Sequence, residues 1–179
     1  MMRAASVYAE ALYGLAKDEN LSTQIMEEIK TLDGVFTAKK DYLRLLSTHN
    51  LSVEDRLKIV DDSFRGKVHA YTLNFLKLLT EKGYASDFHA CVATYKDLYN
   101  EDNGILPVKV VTAEPLTPQQ ALRLKARLGT ITGKIIELIQ HVDPACLGGI
   151  RLDYDGKRVE DTVAGRLEAV RKTLKNTIL

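Results

Sequence analysis

The residues with the strongest claim to chemistry in this 179-residue chain are a glycine-bracketed lysine, four histidines, two cysteines and two pairs of adjacent acids. Gly129-Thr130-Ile131-Thr132-Gly133-Lys134 has the outline of a phosphate loop, in which backbone N–H groups and a lysine hold a polyphosphate. Only three residues separate its glycines where four are needed, Ile135 stands where a hydroxyl must reach magnesium, and a helix precedes it. The segment therefore reads as a helix-to-strand turn. His49, His69, His89 and His141 lack metal-ligand spacing, and His69 and His89 fall on separate predicted helices with no carboxylate or thiol in register. Cys91 and Cys146 have no basic neighbour to hold a thiolate, and two cysteines are too few for a disulfide framework, which points to a reducing compartment. Asp61-Asp62 and Glu27-Glu28 read as solvated helix faces. Gly148-Gly149 lacks a dinucleotide pattern and reads as a bulge or close packing in a strand. No Gly-x-Ser-x-Gly elbow occurs. The expectation is a protein without an active site, cofactor or metal.

The elements that position these residues differ between the two halves. All four prolines (Pro107, Pro115, Pro118, Pro144) lie after residue 104, and eleven of twelve aromatics precede residue 100. Before Gly104, apolar residues recur at the helical period. Tyr8, Leu12 and Leu15 share one face, flanked by Ala9 and Ala16. Ile25, Ile29, Leu32 and Phe36 mark a second helix, and Tyr42, Leu45 and Leu46 a third. Ser52-Val53-Glu54-Asp55 resembles a capping box ahead of Leu57, Val60 and Phe64. Val68, Thr72, Phe75, Leu76 and Leu79 give a fifth helix stopped by Gly83. Phe88, Cys91, Val92, Tyr95 and Tyr99 give a sixth. After Gly104, Ile105 to Ala113 reads as a strand, and Thr117-Pro118-Gln119-Gln120 as a helix start. Lys134 to Val142 is a second strand. Leu147 to Tyr154 and Lys157 to Glu160 form a hairpin about Asp155-Gly156, and a helix runs from Thr162. The predicted fold is two domains, an all-α six-helix bundle over 1–104 and a small α/β module over 105–179.

Composition narrows the function. Apolar residues make up 45% and charged residues 27%, a globular balance. Net charge is +1, split as −3 before Gly104 (13 basic, 16 acidic) and +4 after it (12 basic, 8 acidic). A near-neutral chain lacks the basic surface that nucleic-acid binding requires, so no nucleic acid is expected. No apolar run approaches the ~20 residues that cross a bilayer, and Met1-Met2-Arg3-Ala4 lacks a secretory apolar core, so neither membrane insertion nor secretion is expected.

The first and fifth helices carry more apolar positions than one inward stripe needs. Tyr71 and Leu78, seven apart, form a second row beside Val68, Phe75 and Leu79, and Ala11 flanks the Tyr8–Leu12–Leu15 stripe. Such surplus is either additional core or the wall of a groove that receives another helix.

Longer runs resemble a known family, the F-type ATP synthase delta subunit, the bacterial counterpart of the oligomycin-sensitivity-conferring protein. Tyr8-Ala9-Glu10-Ala11-Leu12-Tyr13-Gly14-Leu15-Ala16 is similar to its opening, and Asn74-Phe75-Leu76-Lys77-Leu78-Leu79-Thr80-Glu81-Lys82-Gly83 to its fifth helix. Val108-Lys109-Val110-Val111-Thr112-Ala113-Glu114-Pro115-Leu116-Thr117 resembles its strand and helix start. Val142-Asp143-Pro144-Ala145-Cys146-Leu147-Gly148-Gly149-Ile150 looks like its signature loop, and Gly165-Arg166-Leu167 like the opening of its last helix. Two positions depart: Glu160-Asp161-Thr162 stands for the family's acid-Gly-Ser, and Tyr84 for an arginine after the fifth-helix glycine.

The resemblance implies a non-catalytic stator, peripheral on the cytoplasmic face of the bacterial membrane, one copy per complex. The N-terminal bundle then receives the alpha-subunit N-terminal helix, with Tyr8, Ala11, Leu12 and Leu78 as groove residues. The C-terminal module engages the C-terminal end of the b subunit. A stalk that resists torque needs nanomolar affinity or better, about −12 kcal/mol. Arg166, Arg171, Lys172 and Lys175 on the last helix are candidates for steering an acidic stalk end, or simply complement the helix dipole. The alternative class is an RNA-binding helical bundle of the antitermination type, which demands a basic face that a −3 half does not offer.

Overall fold

A computed structural model describes residues 2–48 and 50–168. The chain divides into two compact units, Met1–Asn100 and Glu101–Leu179.

The first unit is helical: α1 (Met2–Asp18), α2 (Ser22–Ala38), α3 (Lys40–Ser47), α4 (Val53–Phe64), α5 (Ala70–Glu81) and α6 (Phe88–Asp102), with a 3-10 turn at Ala85–Asp87. The capping expected at Ser52 is present, its hydroxyl accepting from the Asp55 N–H at 3.1 Å. Gly83 ends α5 with φ +77°, a left-handed conformation glycine adopts without a Cβ penalty. The helices close on an aromatic centre. Phe36 is fully buried and meets Phe88 edge-on at 5.0 Å, Phe64 edge-on at 5.9 Å and Tyr42 stacked at 5.5 Å. Tyr13 and Tyr95 make a second edge-on pair at 5.1 Å. The Tyr95 hydroxyl donates to the Ser22 carbonyl at 3.1 Å, and burial pushes its pKa well above the usual phenol value.

Three acids or their partners depart from the sequence expectation. Glu28 is not a solvated face: its Oε2 accepts from the His69 backbone N–H at 2.9 Å and from the Thr72 hydroxyl at 2.6 Å, holding the first turn of α5 against α2. His89 does have a carboxylate partner, Asp33 Oδ1 at 2.6 Å, supplied from α2. Asp61 ties α4 to α5 through Lys77 Nζ at 2.5 Å and also pairs with Arg65. Glu27 and Asp62 are exposed as expected. These contacts join residues far apart in sequence, so local reading cannot find them.

Hydrogen bonding to Lys77, and then the bond and charge of Arg65, lower the Asp61 carboxyl pKa against an opposing rise from burial. A depressed folded-state pKa gives stability that is fully present above the unfolded carboxylate value, ~3.9. That stability is lost as pH falls through the folded value. Asp61→Asn is therefore expected to lower the melting temperature at pH 7 and to leave it unchanged at pH 2, as paired thermal melts would measure. Equal losses at both pH values would remove the ion pair from the account.

The second unit is a four-stranded sheet with one covering helix. β1 (Ile105–Thr112) is followed by α7 (Pro118–Thr132), β2 (Ile135–Val142), a 3-10 turn at Pro144–Cys146, β3 (Gly149–Tyr154) and β4 (Lys157–Thr162). Strand order is β2-β1-β3-β4. β1 and β2 are parallel, as a helical crossover allows, and the β1–β3 and β3–β4 pairs are antiparallel. Leu106, Val108 and Val110 alternate onto one face with Ile136 and Leu152, and Leu124 and Leu128 of α7 close over them. Thr117 and Gln120 form a complete capping box, and Gly133 ends α7 with φ +67°. Asp155 and Gly156, at φ +48° and +69°, make the hairpin turn.

The hairpin starts later than Leu147. That residue sits at φ +61° after the 3-10 turn, so pairing begins only at Gly149. Asp161 lies in β4 without a positive φ. Thr162 instead opens the last helix, its hydroxyl accepting from the Gly165 N–H at 3.0 Å, and residues 163–168 are helical.

Candidate functional site

α1 and α5 run side by side in the helical unit, and an apolar furrow lies between them. Tyr8, Leu12 and Leu15 form one wall and Tyr71, Asn74, Phe75 and Leu78 the other, enclosing about 270 Å³. Both walls follow helical spacing. Positions 8, 12 and 15 align along α1, and positions 71, 74, 75 and 78 along α5, each row spanning about 10 Å at 1.5 Å per residue. Leu12 and Phe75 form the floor, 4% and 6% exposed, while Leu15 and Leu78 stand at the lip, 52% and 36% exposed. Tyr84 meets the Tyr8 ring at 5.9 Å beyond one end of the furrow, so the tyrosine that replaces the family's arginine packs against a lining residue. At the other end the His69 ring meets Tyr71 edge-on at 5.0 Å, and His69 Nδ1 accepts from the Tyr71 N–H at 3.2 Å, capping α5. The α5 wall is thus fixed from below by Glu28 and at its start by His69.

Of the four groove residues expected from sequence, Tyr8, Leu12 and Leu78 line this furrow. Ala11 does not; it is exposed on the adjoining strip of α1. The helical period assigns Leu15 and Phe75 to the inward stripe. Phe75 is indeed buried, yet it also faces the furrow, and Leu15 projects from the lip. Helical period places residues on a face but cannot say where the next helix stops covering it. Of the basic candidates, Arg166 is described, and its guanidinium pairs with Asp161, Nε at 2.9 Å. Arg171, Lys172 and Lys175 lie outside the described residues.

Among the described residues, no three His, Cys, Asp or Glu side chains converge as a metal site would require. Burial pushes the Cys91 thiol up to about 11, with the charge of Asp87 adding to the rise, which keeps it a protonated, packed group at neutral pH. Among those residues, no helix is long and apolar enough to cross a membrane.

A family model described as the ATP synthase delta (OSCP) subunit matches residues 4–174. The chain belongs to the ATP synthase delta (OSCP) subunit family. Relatives agree along the whole length. The ATP synthase subunit delta of Clostridioides difficile (strain 630) is 27% identical over 175 residues, covering 97% of each chain. That of Caulobacter sp. (strain K31) is 27% identical over 94% of this chain and 92% of its own. In fold, this delta-family chain is similar to a chain of the Toxoplasma gondii mitochondrial ATP synthase hexamer, with a TM-score of 0.73, 21% identity, and 95% and 96% of the two chains covered. Membership in the delta family makes this chain a structural stator subunit of an F-type ATP synthase and not a catalytic one.

Proposed function

We propose that this chain joins the catalytic head of an F-type ATP synthase to its peripheral stalk, so that rotation of the central shaft is coupled to ATP synthesis and ion transport. In this reading residues 1–104 act as a six-helix bundle that takes the amphipathic N-terminal helix of an alpha subunit into the α1–α5 furrow. Residues 105–179 engage the C-terminal end of the b subunit, with Arg166, Arg171, Lys172 and Lys175 as its basic contacts. The chain is peripheral on the cytoplasmic face of the membrane, one copy per complex.

The observation that carries the reading is the furrow itself. A helical unit with a well-filled core nevertheless holds Leu15 and Leu78 at the lip of an apolar slot with Leu12 and Phe75 at its floor. Two turns of an amphipathic helix fit its length, and apolar anchors at i, i+3 or i+4, and i+7 match its two rows. Because the footprint is small, binding energy concentrates in those few anchors.

The test is calorimetric titration of the full chain with a synthetic alpha-subunit N-terminal peptide, comparing wild type with Leu78→Glu and Ala11→Arg. A carboxylate on Leu78 must be desolvated without a partner when the helix seats, so affinity should fall about a hundredfold. Ala11→Arg, on the strip beside the furrow, should cost less. Neither side chain is core, so far-UV circular dichroism should be unchanged. Equal affinity of wild type and Leu78→Glu would overturn the reading.

A further inference from the structure

Six of the seven lining residues of the furrow are aromatic or aliphatic; the seventh is Asn74. Its carboxamide is exposed, and among the described residues no hydrogen bond reaches it. It stands midway along the α5 wall, one helical turn from Tyr71 on one side and from Leu78 on the other, beside the buried Phe75. A polar group at the edge of a groove stays wet when the groove fills. One at the centre does not.

We infer that Asn74 is the specificity-determining residue of the furrow, fixing the register of the bound helix by hydrogen bonding to a single polar side chain set among its apolar anchors. The inference rests on the reading of the furrow as a helix receptor. A carboxamide brings two N–H donors and an acceptor. When an apolar helix covers the furrow, those groups lose water, and leaving them unmatched carries the full desolvation penalty of a buried polar group. A uniformly apolar stripe is therefore disfavoured even though it matches the remaining six residues. The preferred occupant has a polar side chain at its middle position and apolar residues one turn before and after.

Sliding that helix by one turn carries its polar side chain onto Tyr71 or Leu78 and brings an apolar residue against Asn74. Both contacts are then wrong at once. A single polar residue in an apolar helix seam fixes register and partner in the same way, at a cost in affinity. The other walls cannot do this, because leucine and phenylalanine surfaces accept apolar neighbours with little discrimination. The site thus combines affinity from Leu12, Leu15, Phe75 and Leu78 with selection from Asn74.

The experiment is a double-mutant cycle on the full chain, using the alpha-subunit peptide as probe. Each polar residue of the peptide is replaced in turn by leucine, and every peptide is titrated against wild type, Asn74→Leu and Leu78→Glu. Leucine is the better helix former, and position 74 is exposed, so Asn74→Leu should fold. One peptide substitution, and only one, should weaken binding to wild type by about tenfold or more, and should strengthen binding to Asn74→Leu. If Leu78→Glu weakens binding while every peptide substitution is additive with Asn74→Leu, the register assignment is wrong and the furrow reading stands. If wild type binds no peptide, or Leu78→Glu binds as well as wild type, the furrow reading falls and the register assignment falls with it.

Discussion

Replacing Gly149 with alanine should destabilise the C-terminal unit by about 3 kcal/mol or more, one of the two largest single-residue effects in the chain. Gly149 opens β3 and pairs with Thr162, at φ +79°. A Cβ built there would lie 2.2 Å from the Asp161 carbonyl oxygen and 3.0 Å from Thr162 Cα. Both atoms are main chain in the neighbouring strand, so no rotamer change relieves the overlap, and β4 must move. The left-handed backbone adds roughly 1 kcal/mol for any non-glycine residue. Gly156→Ala separates the two effects, because Gly156 also has a positive φ, +69°, but no atom lies within 4 Å of its Cβ position. Chemical denaturation of both variants is the measurement, and Gly149→Ala should lose at least about 2 kcal/mol more than Gly156→Ala. Comparable losses would mean that β4 accommodates the methyl group, and the close-packing argument would fail.

The second large effect belongs to Arg56. Its side chain is only 7% exposed, and no carboxylate pairs with it among the described residues. Instead its Nη1 donates to the Leu46 carbonyl at 2.9 Å and the Thr80 carbonyl at 3.3 Å. Leu46 lies in the last turn of α3 and Thr80 in the last turn of α5, where carbonyls have no intrahelical donor and the dipole is negative. One guanidinium on α4 thereby satisfies two helix ends. Arg56→Met keeps most of the volume and removes the donors, leaving two buried acceptors unmatched at about 1–3 kcal/mol each. The expected loss is about 3 kcal/mol, a fall in melting temperature of roughly 15 °C for a unit of this size. Lys58→Met, on the exposed side of the same helix, should change little. A loss below about 1 kcal/mol at Arg56 would show that the carbonyls find other donors, as some replacements of a buried charge by an apolar side chain allow.

What the sequence made legible was whatever is decided within a few residues. The Thr117–Gln120 capping box, the Asp155-Gly156 turn and the Gly83 stop are each written in adjacent side chains, and each is found where it was expected. So was the register of Tyr8, Leu12 and Leu78 on their helices. Tertiary contacts were not legible. Glu28 with Thr72 is 44 residues apart, His89 with Asp33 56, and Arg56 with Thr80 24, so nothing local marks any of them. The exposure of Leu15 was hidden for a related reason. A helical stripe names the residues that face inward on average, whereas the extent of burial depends on the neighbour's length and tilt. Ala11 failed in the opposite direction, since its small side chain fits the idea of a close approach but lies one strip off the furrow.

The aromatic centre around Phe36, Tyr13 and Tyr95 also determines what the molecule offers to a spectrometer. Seven of its eight tyrosines belong to the helical unit, Tyr154 is alone in the sheet, and tryptophan is absent. Ultraviolet emission from the intact subunit is therefore a private signal of the helices, while an amide-based signal follows the whole chain. Recorded together during denaturation, the two would report whether the halves melt as one or in succession, without a label or a truncated variant.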